Sequence, residues 1–329
     1  MRVKGRSKLL LAAASVMVAI AAGATALLSR ASERSLQAGG EDAVRRAAAA
    51  YAELEQREIE SLSSQLDPLL ADPGLLAAYQ ARDRARLLDL ARPTFEQLGR
   101  RGVTHWYFLD PEPARTCFLR VHAPELHGDV VNRETFSQAI VSHAVGAGKE
   151  LGRTAFALRV VRPFRDGQRI VGYQELGEEI DHFLERMKGQ TGDDFGLLVE
   201  KGRIDRAELA RVRSEDRWEE HPELVLVDST MWDERIISFE APVARVPETG
   251  LMVGTWSDGN RLFAGGAFPV RDASRRPVGV LFVRHDVTAL RAAIDTARRR
   301  FVALAIVAGV SLLATALVLA SLRRLRPDA

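Results

Sequence analysis

Two stretches of this chain carry no charge at all, Leu9–Leu28 and Phe301–Leu322. A helix needs about 20 apolar residues to cross a bilayer core, so each is read as a transmembrane helix. The pattern between them is amphipathic. From Glu41 to Leu70, apolar residues recur at helical spacing: Val44, Ala48, Tyr51, Leu54, Ile59, Leu62, Leu66 and Leu69. Glu and Arg fill the other faces, which predicts a stalk helix of about 45 Å. Gly39-Gly40 is read as a hinge below it, and Asp72-Pro73-Gly74 as its end. A second helical run, Leu75 to Leu98, is expected to break near Pro93.

After Gly102 the period shortens. Val103–Leu109 and Thr116–His122 read as strands around a turn at Asp110–Arg115, and Phe136–Val145 as a short helix. Ala155–Phe164 and Arg169–Leu176 form a hairpin about Asp166-Gly167, and Glu178–Lys188 a helix. An internal echo follows. Pro163-Phe164-Arg165-Asp166, then Val171-Gly172-Tyr173, Leu176 and Glu179-Ile180, reappears as Pro269-Val270-Arg271-Asp272, then Val278-Gly279-Val280, Val283 and Asp286-Val287. Repeated supersecondary units imply repeated modules. Asp286 is placed to cap a helix starting near Thr288 and running uninterrupted into the second span.

The expected architecture is therefore α+β: a long N-terminal stalk helix, then two antiparallel-sheet modules in series, flanked by two transmembrane helices. The expected boundaries are a basic N-terminus 1–8, a first span 9–28, a stalk 29–74, a membrane-distal module 75–190 and a membrane-proximal module 191–286. An exit helix 287–300, a second span 301–322 and a tail 323–329 complete the chain.

Charge sets the orientation. Arg2, Lys4, Arg6 and Lys8 precede the first span; Arg323, Arg324 and Arg326 follow the second. Cations concentrate on the cytoplasmic side, which puts both ends in the cytoplasm and residues about 29–300 outside. The net charge of +2, from 46 Lys and Arg against 44 Asp and Glu, is no nucleic-acid signature. The single cysteine, Cys117, permits no intrachain disulfide.

The order of elements, with Thr104-His105-Trp106-Tyr107-Phe108 followed by Phe118-Leu119-Arg120-Val121-His122, resembles a double Cache sensor. The resemblance is to the branch described as the double sensory domain of two-component kinases and chemoreceptors, and it covers about residues 40 to 290. It implies two PAS-like modules and a ligand bound by the membrane-distal one. The Arg, Trp-Tyr and Asp signature of amino-acid-binding members is not found at the expected spacing. Seven residues follow Leu322, with no output domain among them. The chain is thus read either as the sensor portion of a longer receptor or as a protein acting through a separate histidine kinase, chemoreceptor or cyclase, within a homodimer. The alternative reading is a membrane-anchored periplasmic interaction or scaffold module.

Symmetric pairing of the first hairpin sets Tyr107 opposite Phe118 and His105 opposite Arg120. Directly paired residues share a sheet face. One face then carries His105, Tyr107, Phe118, Arg120 and His122; the other carries Trp106, Phe108, Leu119 and Val121 and is the core face. Cations beside aromatics suit a small carboxylate, which Arg binds in bidentate fashion. Arg120 has an alternative, structural partner in Asp129 or Glu175. Arg159 and Tyr173, with Glu175, are further candidates from the second hairpin, but an Asp166-Gly167 turn puts Arg159 and Tyr173 on opposite faces. No His-Glu-x-x-His helix, Cys-x-x-Cys pair, P-loop or Gly-x-Ser-x-Gly elbow occurs, so neither metal, cofactor nor enzyme activity is expected.

Overall fold

A computed structural model describes residues 3–151, 156–180, 182–212, 218–231, 239 and 241–322. Helix α1 spans Val3–Leu70 and helix α7 spans Thr288–Leu322, so both uncharged stretches are helical. Among the described residues, no helix is long and apolar enough to cross a membrane. Much of both candidate spans lies outside that description: the side chains of 9–18, 313, 316, 317 and 319–322, and the tail 323–329.

Gly39-Gly40 is not a break in α1. A Cβ on Gly39 would stand 2.9 Å from Leu290 Cδ2, so this glycine permits close approach of α7 rather than bending. Asp72 ends the stalk and starts α2 (Pro73–Gln80): its carboxylate accepts from the N–H groups of Gly74 and Leu75 at 2.7 and 3.0 Å, with Pro73 in the first turn. The next break falls at Arg82, in the left-handed region with φ of 58°, and not near Pro93. Asp83 then caps α3 (Arg84–Gly99), which contains Pro93.

Five strands follow: β1 (His105–Leu109), β2 (Cys117–Arg120), β3 (Gly146–Leu151), β4 (Phe156–Asp166) and β5 (Arg169–Glu179), with helix α4 (Glu134–Ser142) before β3. They form an antiparallel sheet in the order β2-β1-β5-β4-β3. Strand β3 falls between the helix expected at 136–145 and the hairpin expected from Ala155, where no element is expected. Gly146 is required by packing, since a Cβ there would lie 2.0 Å from the Thr135 carbonyl of α4.

After helix α5 (His182–Thr191) come β6 (Asp194–Glu200), α6 (Arg206–Val212), β7 (Leu224–Ser229), β8 (Leu251–Asp258), β9 (Arg261–Arg271) and β10 (Pro277–Asp286). Their order, β7-β6-β10-β9-β8, repeats that of the first sheet. The chain is thus α+β, with a long N-terminal helix and two antiparallel five-stranded sheets in series.

The chain divides into two units. In the unit formed by 43–253 and 265–285, one core joins Leu54, Leu62 and Leu66 of α1 to Trp106, Phe108, Leu158 and Leu176 of the first sheet. Phe268, Leu281 and Val283 of the second sheet complete it. Burying side chains of this size stabilises by about 1.5–3 kcal/mol each. In the unit formed by 1–42, 254–264 and 286–329, Asp286 accepts from Thr288 N at 2.8 Å, as the capping pattern predicts. The Thr288 hydroxyl accepts from Leu262 N at 2.8 Å, and Val287 N donates to Leu262 O at 2.9 Å. The first turn of α7 is therefore tied to β9.

Candidate ligand-binding site

Alternation along β1 sends Trp106 and Phe108 into the core and leaves His105, Tyr107 and Leu109 on the opposite face. The register is Tyr107 with Arg120 and Phe108 with Leu119, slipping at a bulge to Leu109 with Cys117. Relative to symmetric pairing about the turn, this is a shift of two before the bulge. An even shift keeps each side chain on its face, whereas an odd one reverses it.

Four predicted residues therefore remain together. His105 stacks on Tyr107, with centroids 6.1 Å apart and planes 6° apart. The His122 ring stands 4.8 Å from each of them, edge-on. The Arg120 guanidinium lies 5.5 Å from the Tyr107 centroid.

Phe118 does not join them. The bulge turns it to the other face, where it packs edge-on to Tyr79 at 5.4 Å beneath the Arg82 guanidinium at 3.9 Å. Cys117 takes its place, buried with Tyr107, Leu109, Phe136 and Tyr173. Burial pushes its thiol up to about 11, which removes it from nucleophilic chemistry at neutral pH.

The second hairpin corrects the prediction in the opposite sense. Asp166 pairs with Arg169, so the two-residue loop is Gly167-Gln168, with Gly167 at φ 59°. A bulge between Phe164 and Arg165 adds one more step. The total shift is odd, and Arg159 changes face. It now lies with Glu175 and Tyr173: Arg159 Nη1 donates to Glu175 Oε1 at 2.6 Å, and its guanidinium is 5.6 Å from the Tyr107 centroid. Tyr173, opposite Leu109, meets Phe136 of α4 edge-on at 5.3 Å.

Arg133 is the residue that sequence reasoning missed. It lies just before α4, donates from Nη1 to Glu175 Oε1 at 2.5 Å, and stands 4.6 Å over Tyr107. No periodicity marks residues 121–133. The segment reaches the site because it folds back along β2: Gly128 N donates to Cys117 O at 2.8 Å and Cys117 N to Asp129 O at 2.9 Å. The fold-back also presents Asp129 to Arg120 in a two-pronged pair at 2.7 and 2.6 Å, and Arg120 Nη1 donates to Leu126 O at 2.6 Å. The structural partner considered for Arg120 is thus Asp129.

Three guanidiniums consequently surround Tyr107 against two carboxylates, Asp129 and Glu175. Glu175 is fully buried, yet its Oε2 has no hydrogen-bond partner, and neither does Nε of Arg159. Burial, reinforced by Arg159, holds His105 down to about 3. Burial, then Arg159 and Arg120, holds His122 down to about 4. Both imidazoles are therefore neutral at physiological pH, which leaves the three guanidiniums, the carboxylates of Asp129 and Glu175, and Glu150 beside Arg159 as the charges of this face. The face can bind a small anion against aromatic walls. Among the described residues, no cluster of three or more His, Cys, Asp or Glu is placed to hold a metal ion.

Two cavities lie elsewhere. One, about 760 Å³, runs along α1 and β4 past Asp67, His143, Arg162 and Arg165. Its cations are already engaged: Arg162 with Asp67 and Ser63 O, and Arg165 with His143 O. The other, about 550 Å³, borders β7 at His221 and Glu223. Volume marks these; unmet hydrogen-bonding capacity marks the Tyr107 face, and the latter is the better guide because buried polar atoms rarely go unpaired.

One strand order, repeated in two antiparallel sheets that follow a long helix, with a charged, aromatic face on the first sheet, is the architecture to be matched against known families. The family described as "Double sensory domain of two-component sensor kinase" matches residues 40–218, and the chain belongs to that double Cache family. A comparison with curated protein sequences finds no match. Among solved structures, the periplasmic domain of Vibrio cholerae LuxQ is similar at 13% identity, with 73% of this chain and 98% of that one covered and a TM-score of 0.44. The sensory domain of the Campylobacter jejuni chemoreceptor Tlp3 with isoleucine bound is similar at 10% identity, with 79% and 96% covered and a TM-score of 0.46.

Proposed function

We propose that this chain is the extracytoplasmic sensing part of a bacterial transmembrane receptor, and that it binds a small carboxylate on the Tyr107 face. The observation that carries this reading is the convergence of Arg120, Arg133 and Arg159 on one aromatic ring, with unpartnered buried atoms on Arg159 and Glu175. Such polar atoms, a donor on Arg159 and an acceptor on Glu175, are costly to bury unless a ligand or partner uses them.

Membrane anchoring is supported by the exposed apolar side chains of α7. Phe301, Leu304, Ile306, Val307, Val310 and Leu312 point outward, and an apolar surface on all sides of a helix suits lipid. In this reading Leu9–Leu28 and Phe301–Leu322 span the inner membrane, the modules 75–190 and 191–286 face the periplasm, and stalk helices pair in a homodimer. A separate kinase, chemoreceptor or cyclase, or a domain continuous with the chain, supplies the output.

Support for a transmission route comes from the β9–β10 turn. Ala273 N donates to Lys149 O of β3 at 2.7 Å, and Gln138 of α4 donates to Ala273 O at 2.8 Å. Helix α4 borders the candidate site, and β10 continues through Asp286 and Val287 into α7. A ligand shifts such a system only by binding two conformations unequally.

Thermal denaturation across a panel of small carboxylates tests the reading. A stabilising compound is expected to lose its effect in Arg120→Ala and in Arg133→Ala, and to keep it in Arg271→Ala of the second sheet. Stabilisation that survives both first-sheet changes would remove this face from ligand binding.

A further inference from the structure

The Arg120–Asp129 pair differs from the Glu175 pairs in one respect that bears on ligand chemistry. The Asp129 side chain is 54% exposed, while that of Arg120 is 15% exposed and that of Glu175 fully buried. Asp129 thus reaches inward from solvent to fill both prongs of a half-sheltered guanidinium. Its backbone is held independently, by Cys117 N on Asp129 O and by the Gly128–Cys117 bond. The carboxylate can therefore swing out while the segment stays paired with β2. A carboxylate in a two-pronged Arg fork is also the geometry in which a free carboxylic acid is bound.

The interior of the site asks for a different group. Glu175 Oε2 lacks a donor and Arg159 Nε lacks an acceptor, and the two belong to one ion pair on the same face as Arg120. A hydroxyl supplies both roles, accepting from Nε–H and donating to the carboxylate. An ammonium can only donate, and would enter beside three guanidiniums. A second carboxylate would face the buried charge of Glu175, whose Oε1 already takes Arg133 and Arg159.

We propose that the Tyr107 face takes a small hydroxy monocarboxylate, whose carboxylate displaces the Asp129 side chain from Arg120 and whose hydroxyl bridges Arg159 and Glu175. This rests on the reading of that face as the ligand site. Asp129 is then an internal competitor, occupying the fork when no ligand is bound. Its carboxyl is held low by the Arg120 hydrogen bonds, so it competes throughout the physiological pH range.

The test is isothermal titration of the full-length protein in detergent, wild type and Asp129→Asn, with two matched series. These are propionate, lactate and alanine, and phenylacetate, mandelate and phenylglycine. The hydroxy member of a series is expected to bind about tenfold more tightly than its relatives, the worth of one charge-assisted hydrogen bond. Asp129→Asn is expected to tighten that binding by about as much, for the same reason. Asp129→Ser gives the same readout if the amide variant does not fold.

Equal or weaker binding in a folded Asp129 variant overturns the competitor. An amino or unsubstituted member binding as well as the hydroxy acid overturns the ligand class. If neither series binds but another molecule is lost in Arg133→Ala, the proposal falls and the sensing site stands. If no molecule depends on Arg120 or Arg133, both fall.

Discussion

The two sheets share a strand order and part of a sequence, and they differ where chemistry would occur. In the first, Tyr107 pairs with Arg120 on one side and Glu175 on the other. In the second, the corresponding central position is Gly196, paired with Ser229 and Phe282. Aligning Pro163 with Pro269 sets Arg159 against Gly265. One frame thus carries a charged, aromatic cluster in one copy and Gly196, Ser229, Phe282 and Gly265 in the other. The core-facing side is kept: Leu176 and Phe164 correspond to Val283 and Val270, all buried in the core that α1 completes. The repeat preserves packing, and the proposed ligand site occupies a few face positions of a single copy.

The largest expected effect separates these two kinds of position. Glu175→Ala should cost about 3–5 kcal/mol in urea denaturation, because Arg133 and Arg159 lose their counter-charge in a buried setting. Phe282→Ala should cost a similar ~3–5 kcal/mol through a cavity. Only the first loss should be partly recovered by a second change, Arg159→Met, since that removes the stranded charge. A loss below about 1 kcal/mol for Glu175→Ala would mean the pair is reached by water.

A smaller contrast concerns the glycine that both copies share. A Cβ on Gly172 would meet the Tyr79 ring at 2.4–2.7 Å, and one on Gly279 would meet the Leu198 carbonyl at 2.2 Å. An aromatic side chain can move, whereas a sheet carbonyl cannot. Both Ala variants should lose about 1–3 kcal/mol, with Gly279→Ala the worse. Thermal or chemical denaturation of the pair checks the order.

Much of the fold was legible in the sequence because packing imposes periodicity: the stalk stripe, the alternating β1 face, the echo and the Asp286 cap all have local causes. The candidate site was only partly legible because register is not local. His105, Tyr107, Arg120 and His122 stayed together only because the error in the first hairpin was even. Arg159 was placed on the wrong face because a bulge at Phe164 made the second error odd. Phe118 was lost to the bulge in β1–β2, and Arg133 was invisible because a segment without periodicity carries it. Strand β3 begins with Gly146, which packing against α4 requires, and carries Gly148 against Ala273, so it lacks the β-branched run that marks a strand.

Glu178 stands where the second sheet has His285, which is hydrogen-bonded to Asp193 at 2.6 Å. Burial, then Glu58, raises the Glu178 carboxyl to about 7, against an opposing effect of Arg186. The folded state thus holds this proton more tightly than the unfolded chain. Stability from it is complete below about pH 4.3 and is lost as pH rises through 7. Glu178→Gln should flatten that slope and gain about 1–2 kcal/mol at pH 8, after allowance for solvent screening.

The smallest expected effect is an absence of titration. His105 and His122, held at about 3 and 4, stay neutral down to about pH 5. Stability from their neutral burial is present above about pH 6.5 and declines as pH falls toward 4. Carboxylate affinity should therefore be unchanged between pH 5.5 and 7.5 by calorimetry. A step near 6.5 would show that one imidazole is open to solvent.

Amide hydrogen exchange, with and without the carboxylate that most stabilises the protein, compares the two sheets directly. The account predicts new protection in residues 117–142 and 173–177, and none beyond a small propagated change in 224–229 and 277–283. Protection centred on the second sheet, with the first unaltered, would contradict the assignment of ligand binding to the Tyr107 face.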